Sequence, residues 1–571
     1  MTSAFIRKAR QLIEDPVLRH WLVRRVARLE KAPAAFITGA PPYLTPGATL
    51  SEMPRTARWI SEECGSVLRG AEGTTTIDLP GASVKLSADN PGALFDREYA
   101  DLETSLAAHR FAWLPLAGPD ADPGWVRAIW EAWIGKYEAD RTGWPWHAYT
   151  TAERAINIID FASRFGLPGN REDTVQLLFR HGETIRRNLE YFGEHYTSNH
   201  LSNNGRGLLR IGIALGVDEF ATDGAQIMIA EAGRIFGRSG ILNEGSSHYH
   251  LLITRNYIDA WLAAEQGGME EARVLGDIAE SAVAVIPGLC LPGGMPMIGD
   301  ISPDAPPRYF DALTNYESEG SSWPAMLDET SREMVSAMVD RVAPISPDRL
   351  AEDGWHRFEA DEWHALAYVP PDGWPPMPGH GHEDLGSFEL HDGKTPVVVD
   401  PGRGTYTDRE YTRADVHSGL TIDGHGPAPV NRPYYDDGFR RRIVPQAPVF
   451  ERKRSGRLLR SHGYSRLSGI GAVEREWRME ERKLTILDRV EGRGKRQIAR
   501  SYFTDADVEV GENDVTLSAG SRKWRLSADT RPAVKAASKW TAYGDGGPGK
   551  VIAFESTETL PFDGRTVLER L

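Results

Sequence analysis

With 571 residues the chain exceeds what one hydrophobic core usually serves, so two or three domains are expected. Its 40% hydrophobic and 26% charged residues are those of an ordinary globular protein, and a net charge of -15 excludes nucleic acid as the main partner, because phosphate binding needs a basic footprint. Two cysteines, Cys64 and Cys290, exclude a disulfide framework and a Cys-ligated zinc site.

The amino-terminal stretch MTSAFIRKARQLIEDPVLRHWLVRRVARLEK is basic throughout and has no continuous apolar run, so it does not read as a secretory signal. It reads as one or two packed amphipathic helices, with contact to a membrane surface as the alternative. No segment approaches the roughly 18 apolar residues that span a bilayer. A cytoplasmic location is therefore expected, with export to the periplasm as the alternative.

Residues 1–94, including TTTIDLPGASVKLSADN, are expected to decorate the helical region that follows. From residue 95 to 350 the chain reads as helix after helix. Segments such as DPGWVRAIWEAWIGKYEAD, TTAERAINIIDFASRFG and SHYHLLITRNYIDAWLAAEQ place apolar residues at three- and four-residue intervals, separated by short connections such as GLPGN. Helical hairpins without intervening strands must bury their stripes against one another, as a solenoid or closed toroid. After VAPISPDRLAEDG the texture changes. Residues 351–571 hold short alternating runs such as FEADEWHALAYVPP, KLTILDRVEG and DVEVGENDVTLSAG, the pattern of an antiparallel β-sandwich. The expected fold class is multidomain α+β.

Two polar stretches interrupt the helical region. In HYTSNHLSNNGRGLLRIGIAL, Ser198, Asn199, His200, Asn203 and Asn204 crowd a gap between helices, with Asn203 or Asn204 as a candidate cap of the next helix. In ILNEGSSHYHLLITRNYIDAW, Ser246 or Ser247 is placed to cap a helix whose first turn carries Tyr249 and His250. That tyrosine is either amphipathic core or, under the positive potential of the helix N-terminus, a phenolate.

A third stretch, GHGHEDLGSFELHDGKTPVVVDPGRGTY, concentrates imidazole and carboxylate beside strand-like sequence. As a strand it would turn His380, His382 and Asp384 to one face, and the Asp392-Gly393 pair is a strong hairpin signal that returns Asp400 towards them. A strict two-residue turn would pair Asp400 with Leu385 and point it to the wrong face, so a longer loop or a bulge is required. His417, in TRADVHSGLTIDG, offers a third group. Two imidazoles and a carboxylate suit zinc; the alternative is a hydrogen-bonded polar corner without metal.

Taken together, SNHLSNNG, NEGSSHYH, GHGHEDLGSFELHDGKTPVVVDPG and VHSGLTIDG resemble, in the same order, motifs of the heparinase II/III-like superfamily of polysaccharide lyases. WPWHAYTTAERAINIIDF and MPMIGD resemble further segments of it. The resemblance implies an incomplete (α/α) toroid followed by an antiparallel β-sandwich. It also implies β-elimination at a uronic acid in an anionic poly- or oligosaccharide. Asn199 and His380 would neutralise the substrate carboxylate and Tyr249 would be the acid, or both acid and base. His200 is the alternative base, since imidazole accepts protons near neutrality. His382, Asp400 and His417 would hold a structural divalent metal, zinc by its ligand set. Glu244, Tyr406, Tyr411 and Arg413 are candidate substrate-binding residues, with Arg403 and Arg409 as further cations for uronate carboxylates. Where family members often read RSTxAHNT, this chain reads TRADVHSG, with Ser418 in place of the asparagine.

Two other functions are compatible with these residues. A glycoside hydrolase needs two opposed carboxylates, for which Glu244 and Asp384 are available. A non-catalytic glycan-binding or assembly protein on the same fold would use stacking residues such as Trp144 and Trp146.

Overall fold

The computed structural model describes residues 72–194, 197–314, 323–373, 380–428, 443–454 and 456–571, and before residue 72 only isolated short stretches. The amphipathic helices expected over residues 1–31 fall largely outside the described residues, as does Cys64.

The first described strands, β1 (Thr74–Leu79) and β2 (Ala82–Ser87), form an antiparallel hairpin whose Ile77, Leu79, Val84 and Leu86 join the helical core. The principal helices follow as α1 (Leu102–Arg110), α2 (Pro123–Tyr137), α3 (Ala148–Phe165), α4 (Arg171–Arg187), α5 (His200–Leu215), α6 (Asp218–Ile235), α7 (Ser247–Gln266), α8 (Ala272–Val283) and α9 (Glu329–Arg341). Their starts obey capping chemistry. Asp122 accepts from Gly124 N at 2.8 Å, Asn170 from Asp173 N at 3.1 Å and Ser246 from Tyr249 N at 3.1 Å. Asn203 and Asn204 are not caps: both lie one turn inside α5, whose N-cap is Asn199.

Helix packing here is close enough to require glycine. A Cβ on Gly212 would lie 2.3 Å from Ala221 N, and one on Gly224 would lie 2.3 Å from Leu209 N, so α5 and α6 touch backbone to backbone. Helix α7 is buried on all sides from Ser247 to Ala264, the signature of a helix surrounded by others. The helices form an incomplete (α/α) toroid. The N-termini of α3, α5 and α7 carry the polar residues described below.

The sandwich begins with β3 (Trp355–Ala360), β4 (Trp363–Tyr368), β5 (Glu389–Asp392) and β6 (Thr395–Val398), a four-stranded sheet in chain order. Then come β7 (Leu420–Ile422), β8 (Val449–Lys453), β9 (Gly456–Ser461), β10 (Ile470–Glu480), β11 (Lys483–Gly492), β12 (Lys495–Thr504), β13 (Asp507–Val510), β14 (Asp514–Ala519), β15 (Arg522–Ala528), β16 (Pro532–Ala542), β17 (Asp545–Thr559) and β18 (Phe562–Arg570). They form an eight-stranded sheet, ordered β13-β14-β15-β18-β11-β10-β9-β8, and a four-stranded one, ordered β16-β17-β12-β7. The strand pairs are antiparallel. Trp363, Trp477 and Trp524 are fully enclosed between the sheets. Each removes on the order of 200 Å² from water, about 5 kcal/mol of transfer free energy.

Sandwich and toroid meet where a loop closes over α1. Tyr543, in the β16–β17 turn, donates from its hydroxyl to Asp101 Oδ2 at 2.6 Å and accepts Tyr406 N at 3.1 Å. This contact fastens the loop carrying Tyr406 against the toroid.

Candidate active site

Asn199 and Tyr249 are presented by helix starts. Asn199, at the N-cap of α5, makes no side-chain cap bond. Its amide instead donates to Glu244 Oε2 at 2.7 Å, and its backbone N to Glu244 Oε1 at 3.2 Å. Because Ser246 caps α7, Tyr249 occupies the first helical turn, where its ring stacks on the His380 imidazole at 3.7 Å between centroids and 14° between planes. Its hydroxyl is hydrogen-bonded to that of Tyr406. Burial, followed by the Asp304 carboxylate, raises the Tyr249 phenol well above its usual range. The phenolate suggested by the helix N-terminus is therefore not the resting form. A helix dipole contributes about 1 kcal/mol, less than one pH unit, whereas desolvation moves a buried group by several.

His380 is held from behind by Asp300. This buried carboxylate receives His380 Nδ1 at 3.1 Å, His382 Nε2 at 2.8 Å, and Arg403 Nη1 on both oxygens at 3.0 Å. Burial alone would raise it; Arg403 and then the imidazoles outweigh burial and keep it ionised far below the usual carboxylate range. Asp300 thus links His380, beside Tyr249, to His382 in the adjoining cluster. On its other edge, His380 Nε2 lies 3.5 Å from the buried Glu244 Oε2.

His382, Asp400 and His417 are buried together, with ligand-capable atoms within 4.8 Å of one another. Their hydrogen bonding fits a cation. His417 Nε2, 3.0 Å from the Tyr411 carbonyl, carries its hydrogen there, leaving Nδ1 turned to Asp400 Oδ2 at 3.0 Å. His382 Nε2 donates to Asp300, and its buried Nδ1 has no partner. Each imidazole therefore keeps its outer N–H on an oxygen and turns its inner nitrogen to the cluster, as metal-binding histidines do.

The predicted strand at His380–Asp384 is absent: the segment runs as a loop, and β5 begins only at Glu389. Here buried polar side chains, not a ladder, satisfy one another. The hairpin turn is Gly393–Lys394, one residue later than the Asp392-Gly393 signal, and a bulge between Leu390 and His391 shifts the register. That shift returns Asp400 to His417.

A second group of polar residues adjoins Tyr249. His200 Nδ1 lies 2.8 Å from Glu190 Oε1, and its ring lies 4.5 Å from that of Tyr149. Tyr149, at the start of α3, donates from its hydroxyl to Asp304 Oδ2 at 2.5 Å, while Arg110 Nη1 donates to Asp304 Oδ1 at 3.0 Å. Burial would lower His200; the Glu190 carboxylate outweighs it and raises the imidazole above its usual value.

The remaining candidates are placed as follows. Tyr406 belongs to the site through Tyr249. Glu244 is fully buried, with the Asn199 amide on its Oε2 and His380 Nε2 nearby. Tyr411 is also buried, its hydroxyl accepting Ser538 N at 2.8 Å, so its side chain serves packing beside β16. Arg413 lies on the surface and pairs with Asp415 at 3.2 Å. Arg403 is committed to Asp300. Trp144 is exposed, whereas Trp146 is buried and donates to Tyr137 O at 2.7 Å. Of the two carboxylates a hydrolase would need, Glu244 receives the Asn199 amide and Asp384 lies beside the His/Asp cluster. Asp300, Glu190, Tyr149 and Asp304 were not singled out by sequence. The segments WPWHAYTTAERAINIIDF, which contains Tyr149, and MPMIGD, which ends at Asp300, were the signals present for two of them.

Residues 344–565 match a family model described as heparinase II/III-like, C-terminal. A search of curated proteins finds no match. Among solved structures, heparinase III aligns with a TM-score of 0.60 at 15% identity, covering 83% of this chain and 78% of that one. A mutant of the heparan sulfate lyase HepC from Pedobacter heparinus aligns with a TM-score of 0.52 at 14% identity, covering 83% and 78%. In residues 344–565 the chain carries a heparinase II/III-like C-terminal domain, set on a fold it shares with heparinase III.

Proposed function

We propose that the protein is a polysaccharide lyase that cleaves a uronate-containing anionic glycan by β-elimination. The observation that carries this reading is the convergence, where toroid meets sandwich, of a buried neutral tyrosine hydroxyl, a histidine stacked on its ring, and an asparagine amide on the shared Glu244. The family match and the two lyases of the same fold support it.

The chemistry follows from what a uronate requires. A proton α to a carboxylate is poorly acidic until the charge that develops on the enediolate is stabilised. Asn199, oriented by Glu244, and His380, oriented by Asp300, are the donors at that carboxylate. Asp300 holds His380 through Nδ1, which fixes the ring with its Nε2 edge towards Glu244 and Asn199. Tyr249, kept neutral by burial, protonates the departing glycosidic oxygen, and the C5 proton passes to a base, Tyr249 itself or His200. His382, Asp400 and His417 would hold a divalent metal, zinc by ligand type. When bound, that metal would supply positive charge that fixes the loop beneath His380; it takes no part in bond making. His382, through Asp300, would transmit that rigidity.

Screening the purified protein against heparan, chondroitin, hyaluronan, alginate, ulvan and bacterial exopolysaccharides tests the reading. At least one is expected to yield product with the ultraviolet absorbance of a conjugated double bond. New reducing ends without that chromophore, or tight binding without turnover, would overturn it.

A further inference from the structure

Glu190 lies in the connection between α4 and α5, and nothing in the reading above uses it. Its carboxylate is fixed at both oxygens. Oε1 receives His200 Nδ1 at 2.8 Å, and Oε2 receives Asn204 Nδ2 at 3.1 Å. Asn204 also accepts the Glu190 backbone N at 2.9 Å, so one side chain clamps both ends of the residue. The Glu190 side chain is 7% exposed, whereas that of His200 is 43% exposed. With Nδ1 directed inward to the buried carboxylate, the exposed edge of the imidazole is Nε2.

We infer that Glu190 is the positioning residue of the general base: it holds His200 through Nδ1–H, which leaves Nε2 as the proton acceptor facing the cleft. A carboxylate on one imidazole nitrogen fixes the tautomer, orients the ring and stabilises the imidazolium that forms. The inference rests on the β-eliminative reading above and settles which group is the base. His200 Nε2 takes the C5 proton, and the C–H electron pair passes into the enediolate and then into the C4–C5 double bond. The C4–oxygen bond breaks, and the leaving oxygen takes the Tyr249 hydroxyl proton. Transfer of one proton from the His200 imidazolium to the Tyr249 phenolate through solvent restores both groups.

The groups that face His200 are Glu190, His147, Tyr149, Arg110 and Glu103. His147 Nε2 lies 3.6 Å from the same Glu190 oxygen, and Tyr149 lies ring to ring with His200 at 4.5 Å. Of these, Glu190 has the largest effect on His200 after burial and raises it, while Arg110 lowers it.

Glu190→Gln removes the charge and keeps one oxygen to accept Nδ1–H, while its NH2 takes the place of the oxygen that receives Asn204 Nδ2. Histidine-selective NMR titration, with His200 assigned through His200→Gln, is expected to show the His200 midpoint falling by about one pH unit in E190Q. The acid limb of kcat/KM should move to lower pH by the same amount, and kcat on the plateau should fall about tenfold, with KM little changed. An unchanged His200 midpoint overturns the inference, as does a shifted midpoint without a shift of the acid limb. If E190Q does not fold, Glu190→Asp decides: it keeps the charge but withdraws the oxygen by about 1.5 Å. A His200 midpoint and a kcat below those of the wild type are expected, and unchanged values overturn the inference. Should no uronate glycan yield an unsaturated product, the lyase reading and the base assignment fail together, while the NMR comparison still reports whether Glu190 holds His200.

Discussion

Tyr249→Phe removes one oxygen from the centre of the site and leaves the rest in place. The ring is buried and stacked on His380 at 3.7 Å, so phenylalanine keeps the apolar burial and the stack. What is lost is the hydroxyl's hydrogen bonding, to Tyr406 and to Ser302. A net hydrogen bond contributes about 0.5–1.5 kcal/mol, which for units of roughly 200 residues lowers the melting temperature by about 1–6 °C. Alanine would instead open a cavity costing about 3–5 kcal/mol and confuse folding with chemistry. Against this modest stability cost, loss of the general acid should reduce kcat by about 10²–10⁴-fold. KM should change little, because the proposed mechanism assigns the substrate carboxylate to Asn199 and His380. Initial rates are read from ultraviolet absorbance at saturating glycan, alongside a thermal melt of the same preparation. If Tyr249→Phe kept more than about a tenth of kcat while melting near the wild type, Tyr249 would not be the acid.

Two further outcomes follow from the buried charges. Treatment with a strong chelator should remove one equivalent of metal per chain, measured by elemental analysis, and lower the melting temperature until zinc is restored; His382→Ala should carry no metal from the outset. Asp259 receives Arg206 Nε at 2.6 Å and is also paired with Arg210. Burial would raise Asp259, but the two arginines outweigh it and lower it from 3.8 to about 2. A depressed carboxyl contributes stability present above pH 4 and lost as pH falls towards 2, here about 2 kcal/mol. Asp259→Asn should therefore be less stable than wild type at pH 6, with the difference in unfolding free energy narrowing between pH 4 and pH 2. A constant difference would show that Asp259 does not titrate in that window.

The fold was legible because its signals are local. Three- and four-residue apolar intervals and short capped connections mark the helices, and two-residue alternation after residue 350 marks the strands. The same alternation misled at His380, His382 and Asp384, where the two histidines converge on Asp300 and Asp384 lies beside His417 and His382, without a ladder. The need for a bulge before Asp400 was readable from register arithmetic and is met at Leu390 and His391. Asp300, Glu190 and Asp304 were not readable, because each acquires its partners only through folding: Asp300 lies 80 residues from His380, and Asp304 lies 155 from Tyr149. Tyr411 and Arg413 sit beside the motif in sequence, yet the short helical turns at Arg409–Thr412 and Ala414–Val416 bury one and send the other to the surface.

The most direct test of the central claim is to run the glycan reaction in oxygen-18 water and weigh the products. β-Elimination adds no water, so the account predicts product that absorbs in the ultraviolet, is lighter by one water than the hydrolysis product and, sampled before the new hemiacetal exchanges with solvent, carries no oxygen-18. Products that incorporate oxygen-18 and lack the chromophore would contradict it.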